Sequence, residues 1–159
     1  MNSLAGSNAA DQAAPAGPFR RALVAWDGSA DAAAALRTAT AIVAGRNCHV
    51  VALSVLPADS CREASNDLLA GPTPQGRMEA AFETARAGIA RTSAARIDLH
   101  TAESRQVAGS LCDYASEHGF DVLVIGRHGH GGLIGRKIGH IAEAVVRSCS
   151  VPVLLVSAR

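Results

Sequence analysis

The chain has 159 residues, enough for one domain with a core of its own and no need of disulfide or metal staples. Hydrophobic residues make up 48% of it but aromatic residues only 3%, so the core must be built from Ala, Val, Leu and Ile, and no row of rings is available for stacking bases. A formal net charge of +1 argues against a nucleic acid or an anionic membrane surface as partner.

Four cysteines, Cys48, Cys61, Cys112 and Cys149, show no C-x-x-C or other metal-like spacing, and three of them fall in apolar segments. That usage fits a reducing compartment. No stretch is apolar and long enough to span a bilayer, and the N-terminus lacks the charged-then-apolar order of a secretion signal. A cytoplasmic location is the expectation.

Residues 1–18 are Ala, Gly, Ser, Asn and Pro with almost no bulky apolar side chains, which predicts a disordered tail ahead of a domain over 19–159. From Arg20 strands and helices alternate. Arg21 to Trp26 reads as a buried strand; Asp27-Gly28-Ser29 as a turn, with Ser29 capping a helix marked by Leu36, Ala39, Ile42 and Val43 and stopped by Gly45. His49 to Leu56 reads as the second strand. The stretch Pro57 to Gln75, rich in Asp, Ser, Gly and Pro, reads as a long irregular loop. Met78, Phe82, Ala85 and Ile89 mark a second helix, Arg96 to Thr101 a shorter strand, and Val107, Leu111, Tyr114, Ala115 and His118 a third helix stopped by Gly119. A strand over Phe120 to Ile125, a fourth helix (Ile138, Ile141, Ala142, Val145, Val146) and a last strand, Val151 to Val156, complete the chain. This β-α-β alternation predicts a parallel sheet with helices on both faces, whose ligands bind beyond the carboxyl ends of the strands where the strand order reverses.

Between the fourth strand and the fourth helix lies the most informative stretch, Gly126-Arg127-His128-Gly129-His130-Gly131-Gly132-Leu133-Ile134-Gly135-Arg136-Lys137-Ile138-Gly139. Glycine lets a backbone approach an anion closely, and the free N–H groups of a helix start point at it. A tight turn with no ligand is the competing reading. Lys137 is not a Walker lysine, because the Gly-Lys-Ser/Thr ending is absent, so no phosphoryl-transfer machinery is indicated. The chain reads as a binding module rather than an efficient enzyme, with slow ATP hydrolysis as the most it would do.

The pattern Gly126-x-x-Gly129, nine residues, then Gly139 resembles the signature loop of the universal stress protein family. So do Val24-Ala25-Trp26-Asp27-Gly28-Ser29 at the end of the opening strand, Phe120 to Gly126, and the closing Val151-Pro152-Val153-Leu154-Leu155-Val156. The resemblance runs from about Arg20 to the end. It implies an α/β fold of the adenine nucleotide alpha hydrolase-like kind, a five-stranded parallel sheet of order 3-2-1-4-5, in cytoplasmic proteins that are often homodimers made under stress. Some members bind ATP and others do not.

Carried over residue by residue, the resemblance implies that Asp27 receives the adenine or ribose side of a nucleotide and that the backbone of Val55 meets adenine. It implies that Gly126 and Gly129 surround ribose and phosphates, and that Gly139 with the following helix start cradles phosphate. Arg127, His128, His140, Ile141 and Ala142 belong to the same nucleotide-binding set. The ligand would be ATP or a related adenine nucleotide, cyclic AMP among them, with Mg²⁺ or Mn²⁺ only as a companion of the phosphates. One departure stands out: the family continues after the last glycine with Ser or Thr, and here the residue is His140. Imidazole is bulkier and a poorer cap. It can donate to phosphate or fill the phosphate space, and the second case leaves a dimeric stress adaptor that binds no nucleotide and acts through protein partners.

Each feature also has a plainer reading. Arg127, Arg136, Lys137 and Arg147 outnumber Glu143 around the loop, which favours an anion or is a solvated surface. His128, His130 and His140 lack a carboxylate or Cys at matching spacing, so no metal site is expected. Asp27 can be a turn-former before Ser29. Trp26 is expected to pack. Cys61 lacks a visible partner thiol for redox sensing. Pro152 and the apolar Val153–Val156 segment suit an edge strand, which an isologous homodimer would cover, or in a monomer the tail.

Overall fold

The computed structural model describes residues 18–43, 47–58, 72–89, 95–129 and 138–158. Among the described residues nine elements alternate: β1 (Arg21–Ala25), α1 (Ala30–Ile42), β2 (His49–Leu56), α2 (Pro74–Ile89), β3 (Arg96–Glu103), α3 (Val107–Glu117), β4 (Val122–Gly126), α4 (His140–Ser148) and β5 (Val153–Val156). The strands form one sheet of order β3-β2-β1-β4-β5, with every pairing parallel. The predicted class and strand order are both observed.

Strand side chains alternate between faces, and this divides the core in two. Ala22 and Val24 of β1, Val50 and Ala52 of β2 and Val122 and Val124 of β4 meet Ala35, Leu36 and Ala39 of α1 and Phe82 and Ile89 of α2. Leu23, Val51, Leu53, Leu123 and Ile125 point the other way, onto Leu111, Cys112 and Ala115 of α3 and Ala142 and Val145 of α4. The central strands are apolar at nearly every position, Arg21 and His49 at their starts and the buried Ser54 excepted, because both faces are covered. Small Ala side chains on α1 let that helix lie close to the sheet. Trp26 packs edge-on against Phe82, with ring centroids 5.8 Å apart, and its indole N–H donates to the Met78 carbonyl at 3.2 Å.

Several boundaries differ from the sequence reading. α2 begins at Pro74, inside the stretch expected to be irregular: Thr73 caps it by accepting from the Gly76 N–H at 3.0 Å, and Pro74 needs no hydrogen bond in the first helical turn. β4 begins at Val122 rather than Phe120, because the Asp121 carboxylate accepts the N–H groups of Arg20 and Arg21, each at 2.8 Å, and so ties the start of β1 instead of continuing a strand. α1 ends at Ile42, Val43 being its C-cap and bridging to Phe19. β1 stops at Ala25 before Trp26, β3 runs on to Glu103, and β5 starts at Val153 after Pro152. Ile138, expected on the apolar face of the fourth helix, precedes it and is exposed. The tail (1–17), Gly45, Cys61, most of the 57–75 stretch, and His130, Arg136 and Lys137 lie outside the described residues. No helix among the described residues is long and apolar enough to cross a membrane.

Candidate functional site

Strand order reverses between β1 and its two neighbours, β2 and β4. Chains leaving the carboxyl ends of these strands part there, which opens a crevice. A cavity of about 330 Å³ occupies it. Its floor is apolar: Ala25, Leu53, Val55 and Ile125 from the strands, and Val107 and Leu111 from α3. Its rim is polar: Asp27 and Ser29 after β1, Arg127 and His128 after β4, and the start of α4. Asp27, Val55, Gly126, Arg127, His128, Gly129, Gly139, His140, Ile141 and Ala142, scattered over 116 positions of sequence, all line this one cavity.

The turn after β1 is fixed from within. Asp27 accepts the Ser29 N–H at 2.9 Å, Gly28 takes a φ of +77°, and the Ser29 hydroxyl accepts the Ala32 N–H at 3.1 Å as the N-cap of α1. Asp27 therefore forms the turn and also lines the cavity.

The segment after β4 is held at both ends. The Arg127 N–H donates to the Val156 carbonyl, and the Arg127 carbonyl accepts the Gly139 N–H at 2.9 Å. The chain thus returns to its starting point before α4 begins. Gly139 is the N-cap of α4 in an extended conformation and offers no side-chain cap. The first N–H that bonds back to it belongs to Glu143. The N–H groups of His140, Ile141 and Ala142 have no intrahelical acceptor, and they lie at the cavity rim with the positive end of the helix dipole. His140 stands there as the first residue of α4 and is exposed.

The glycines owe their smallness to neighbours within the protein. A Cβ on Gly126 would stand 2.8 Å from the Asp31 Cβ and 3.0 Å from the Asp31 carbonyl carbon, in the first turn of α1. A Cβ on Gly129 would stand 2.7 Å from Asp27 Oδ2. Gly126 is pressed against α1 and Gly129 against the β1 turn.

Asp31, which the sequence reading did not single out, holds this packing together. Its Oδ2 accepts the His128 backbone N–H at 2.9 Å and lies 3.2 Å from His128 Nδ1, while its Oδ1 accepts the Ala158 N–H at 2.7 Å. Burial pushes the Asp31 carboxyl up, but the hydrogen bonds from Ala158 and His128 outweigh it and hold the group below the usual carboxylate range. In sequence, Asp31 is only an acid in a helix's first turn, which dipole complementarity explains without a distant partner. Among the described residues no group of three or more His, Cys, Asp or Glu side chains converges as a metal site.

Solved structures share this architecture. Hypothetical protein MJ0577, whose structure served to assign its biochemical function, superposes with a TM-score of 0.71 at 19% identity, over 89% of this chain and 97% of that one. A universal stress protein in complex with cAMP gives 0.62 at 21% identity, over 89% and 98%. A universal stress protein family protein from Arabidopsis thaliana with AMP bound gives 0.58 at 12% identity, over 87% and 92%. No curated protein sequence matches the chain significantly. The family model for universal stress proteins matches residues 18–157, nearly the whole of the described fold. The chain belongs to the universal stress protein family.

Proposed function

We propose that this protein binds ATP or a related adenine nucleotide in the cavity at the carboxyl edge of the sheet, as a regulatory module of the stress response. One observation carries the reading: a single cavity joins an apolar floor to a rim of unpaired helix N–H groups. An adenine ring suits the floor between Val55, Val107 and Leu111. Phosphates suit the start of α4, where the dipole and the N–H groups of His140, Ile141 and Ala142 favour anions. In this reading Asp27 would receive the ribose, and Gly126, Arg127, His128 and Gly129 the ribose–phosphate edge. The cavity volume falls at the lower end of the range for small-molecule sites. The AMP and cAMP in the related structures support the same ligand class. Mg²⁺ or Mn²⁺ would enter only with the phosphates.

The alternative, an adaptor that binds no nucleotide, needs His140, which lines the cavity, to close the helix start; the exposure of His140 favours the open site. Assembly as a homodimer through the β5 edge and a cytoplasmic location complete the proposal. Isothermal titration with Mg-ATP, after checking that no nucleotide copurifies, tests it. Micromolar binding that weakens at least tenfold in Gly129→Val is expected. A clean apo protein that binds neither ATP nor AMP would overturn the reading, and binding gained only in His140→Ser would establish the closed site instead.

A further inference from the structure

Cys112 and Cys149 are free thiols on the same face of the sheet, in the core that α3 and α4 cover, while Cys48 lies in the core of the opposite face. Cys112 sits in the middle of α3 and is buried; Cys149 is the C-cap of α4 and is half-buried. The two helices pack against each other. Next to Cys149 in the chain, the Ser148 hydroxyl donates to the Ala144 carbonyl at 2.8 Å and lies 3.6 Å from Cys112 Sγ. The last turn of α4 is thereby held against Cys112. The Cys149 thiol reaches Cys112 through a side-chain hydrogen bond of its own. Burial pushes the Cys112 thiol up; the Ser148 hydroxyl opposes this and the Cys149 thiol adds to it, so Cys112 is protonated at neutral pH. A buried, protonated thiol is inert toward oxidants, and a half-buried one is open to them. A thiol beside the oxidised one can resolve its sulfenic acid. In a reducing compartment such a pair closes transiently, as a sensor, rather than as a permanent staple.

We propose that Cys112 and Cys149 form a peroxide-responsive dithiol that closes to a disulfide joining α3 to α4. Cys149, the accessible sulfur, loses its proton and attacks the O–O bond of hydrogen peroxide. An S–O bond forms, giving a sulfenic acid, and the other oxygen leaves as hydroxide, which takes that proton to become water. Cys112 Sγ then attacks the sulfenic sulfur: the S–S bond forms, the S–O bond breaks, and the departing hydroxide takes the Cys112 proton as a second water. Two thiols are oxidised by two electrons and one peroxide is reduced to two waters. Two molecules of a small thiol reopen the pair and leave as their own disulfide. Cys149 stands in an extended conformation at a helix end, where a small adjustment disturbs only the last turn. The cross-link needs no ligand in the cavity. It would tie the helix that lends Val107 and Leu111 to the cavity floor to the helix whose first turn forms the rim.

Hydrogen peroxide added to the reduced, full-length protein, followed by peptide mapping without reductant, tests the pairing. A peptide cross-linked through Cys112 and Cys149 should dominate, and dithiothreitol should reverse it. The same dose on the chain unfolded in urea should give a mixture of pairings among Cys48, Cys61, Cys112 and Cys149. A folded chain that yields the same mixture overturns the proposal, as does one in which Cys149 is driven to sulfinic acid while Cys112 stays a thiol. In Cys112→Ala, dimedone should trap Cys149 as its sulfenic acid. In Cys149→Ser, Cys112 should stay reduced; Cys112 oxidised there as readily as in the wild type overturns the assignment of Cys149 as the entry point. Cys149→Ser, at a half-buried helix end, keeps the test alive should Cys112→Ala fail to fold. Oxidised wild type should melt higher than reduced, because the bond closes a long loop in the unfolded chain. A lower melting temperature would mean that the fold distorts to close the bond, and overturns the poised geometry.

Discussion

Replacing Gly126 by Ala adds one methyl group where the protein has no room for it. The new Cβ would lie 2.8 Å from the Asp31 Cβ, 3.0 Å from the Asp31 carbonyl carbon and 3.2 Å from the Ala32 N. Two of those three atoms are backbone in the first turn of α1, so no side-chain rotation relieves the overlap. Ordinary carbon–carbon contact needs about 3.5–4.0 Å, so α1 must move by most of an ångström. That helix packs on β1 and β4 through Ala35, Leu36 and Ala39, all fully buried, and a shift disturbs the whole face. Overpacking of this kind costs about 1–3 kcal/mol, or about 2–12 °C of melting temperature for a domain of this size. Gly88→Ala is the matched control: Gly88 is exposed in α2 and a Cβ there meets nothing within 4 Å, so the same methyl should stabilise by about 0.5–1 kcal/mol through helix propensity. Urea and thermal unfolding of ligand-free protein measures both. A Gly126→Ala variant as stable as the wild type would refute the argument that α1 imposes this glycine.

Two further outcomes follow from contacts elsewhere. Ser29→Ala removes the hydroxyl that accepts the Ala32 N–H, and unfolding by urea should show a loss of about 1 kcal/mol. At the far end of the sheet, Asp98 meets His49 Nε2 and Arg96 Nε, each at 2.7 Å; burial raises its pKa, but the His49 hydrogen bond and the Arg96 charge outweigh this and lower it. A carboxyl with a folded pKa below its unfolded one stabilises fully above about pH 4, and the contribution is lost as pH falls through the lower folded value. The stability gap between wild type and Asp98→Asn, about 0.2–1 kcal/mol for partly exposed partners, should therefore close as pH falls below about 4 in acid-unfolding series, and a gap that widens there would refute it.

The sheet was legible because its central strands are apolar runs broken only by Ser54, and the strand order came with the family resemblance. The rim of the cavity was legible because glycines and a turn mark it locally. Local signals were also present where the reading went astray: Thr73-Pro74 is a cap followed by a first-turn proline, masked by the polar stretch before it. Asp121 looked like a strand residue because its partners, Arg20 and Arg21, are a hundred positions away. Asp31 is the extreme case. Nothing within its own helix distinguishes an acid that complements the dipole from one that joins three segments, and only the folded chain brings the donors to it.

That junction also dictates when the cavity can exist. The donors to Asp31 lie 97 and 127 residues downstream, so a chain emerging from the ribosome presents the carboxylate long before it has anything to hold. The walls from β1, β2 and α3 can assemble early, but the rim stays loose until residue 158 has been made. Contacts of such separation are closed late and slowly in folding. Any ligand that needs the finished rim could bind only chains whose synthesis has passed β5, so on this fold completed assembly must come before occupancy.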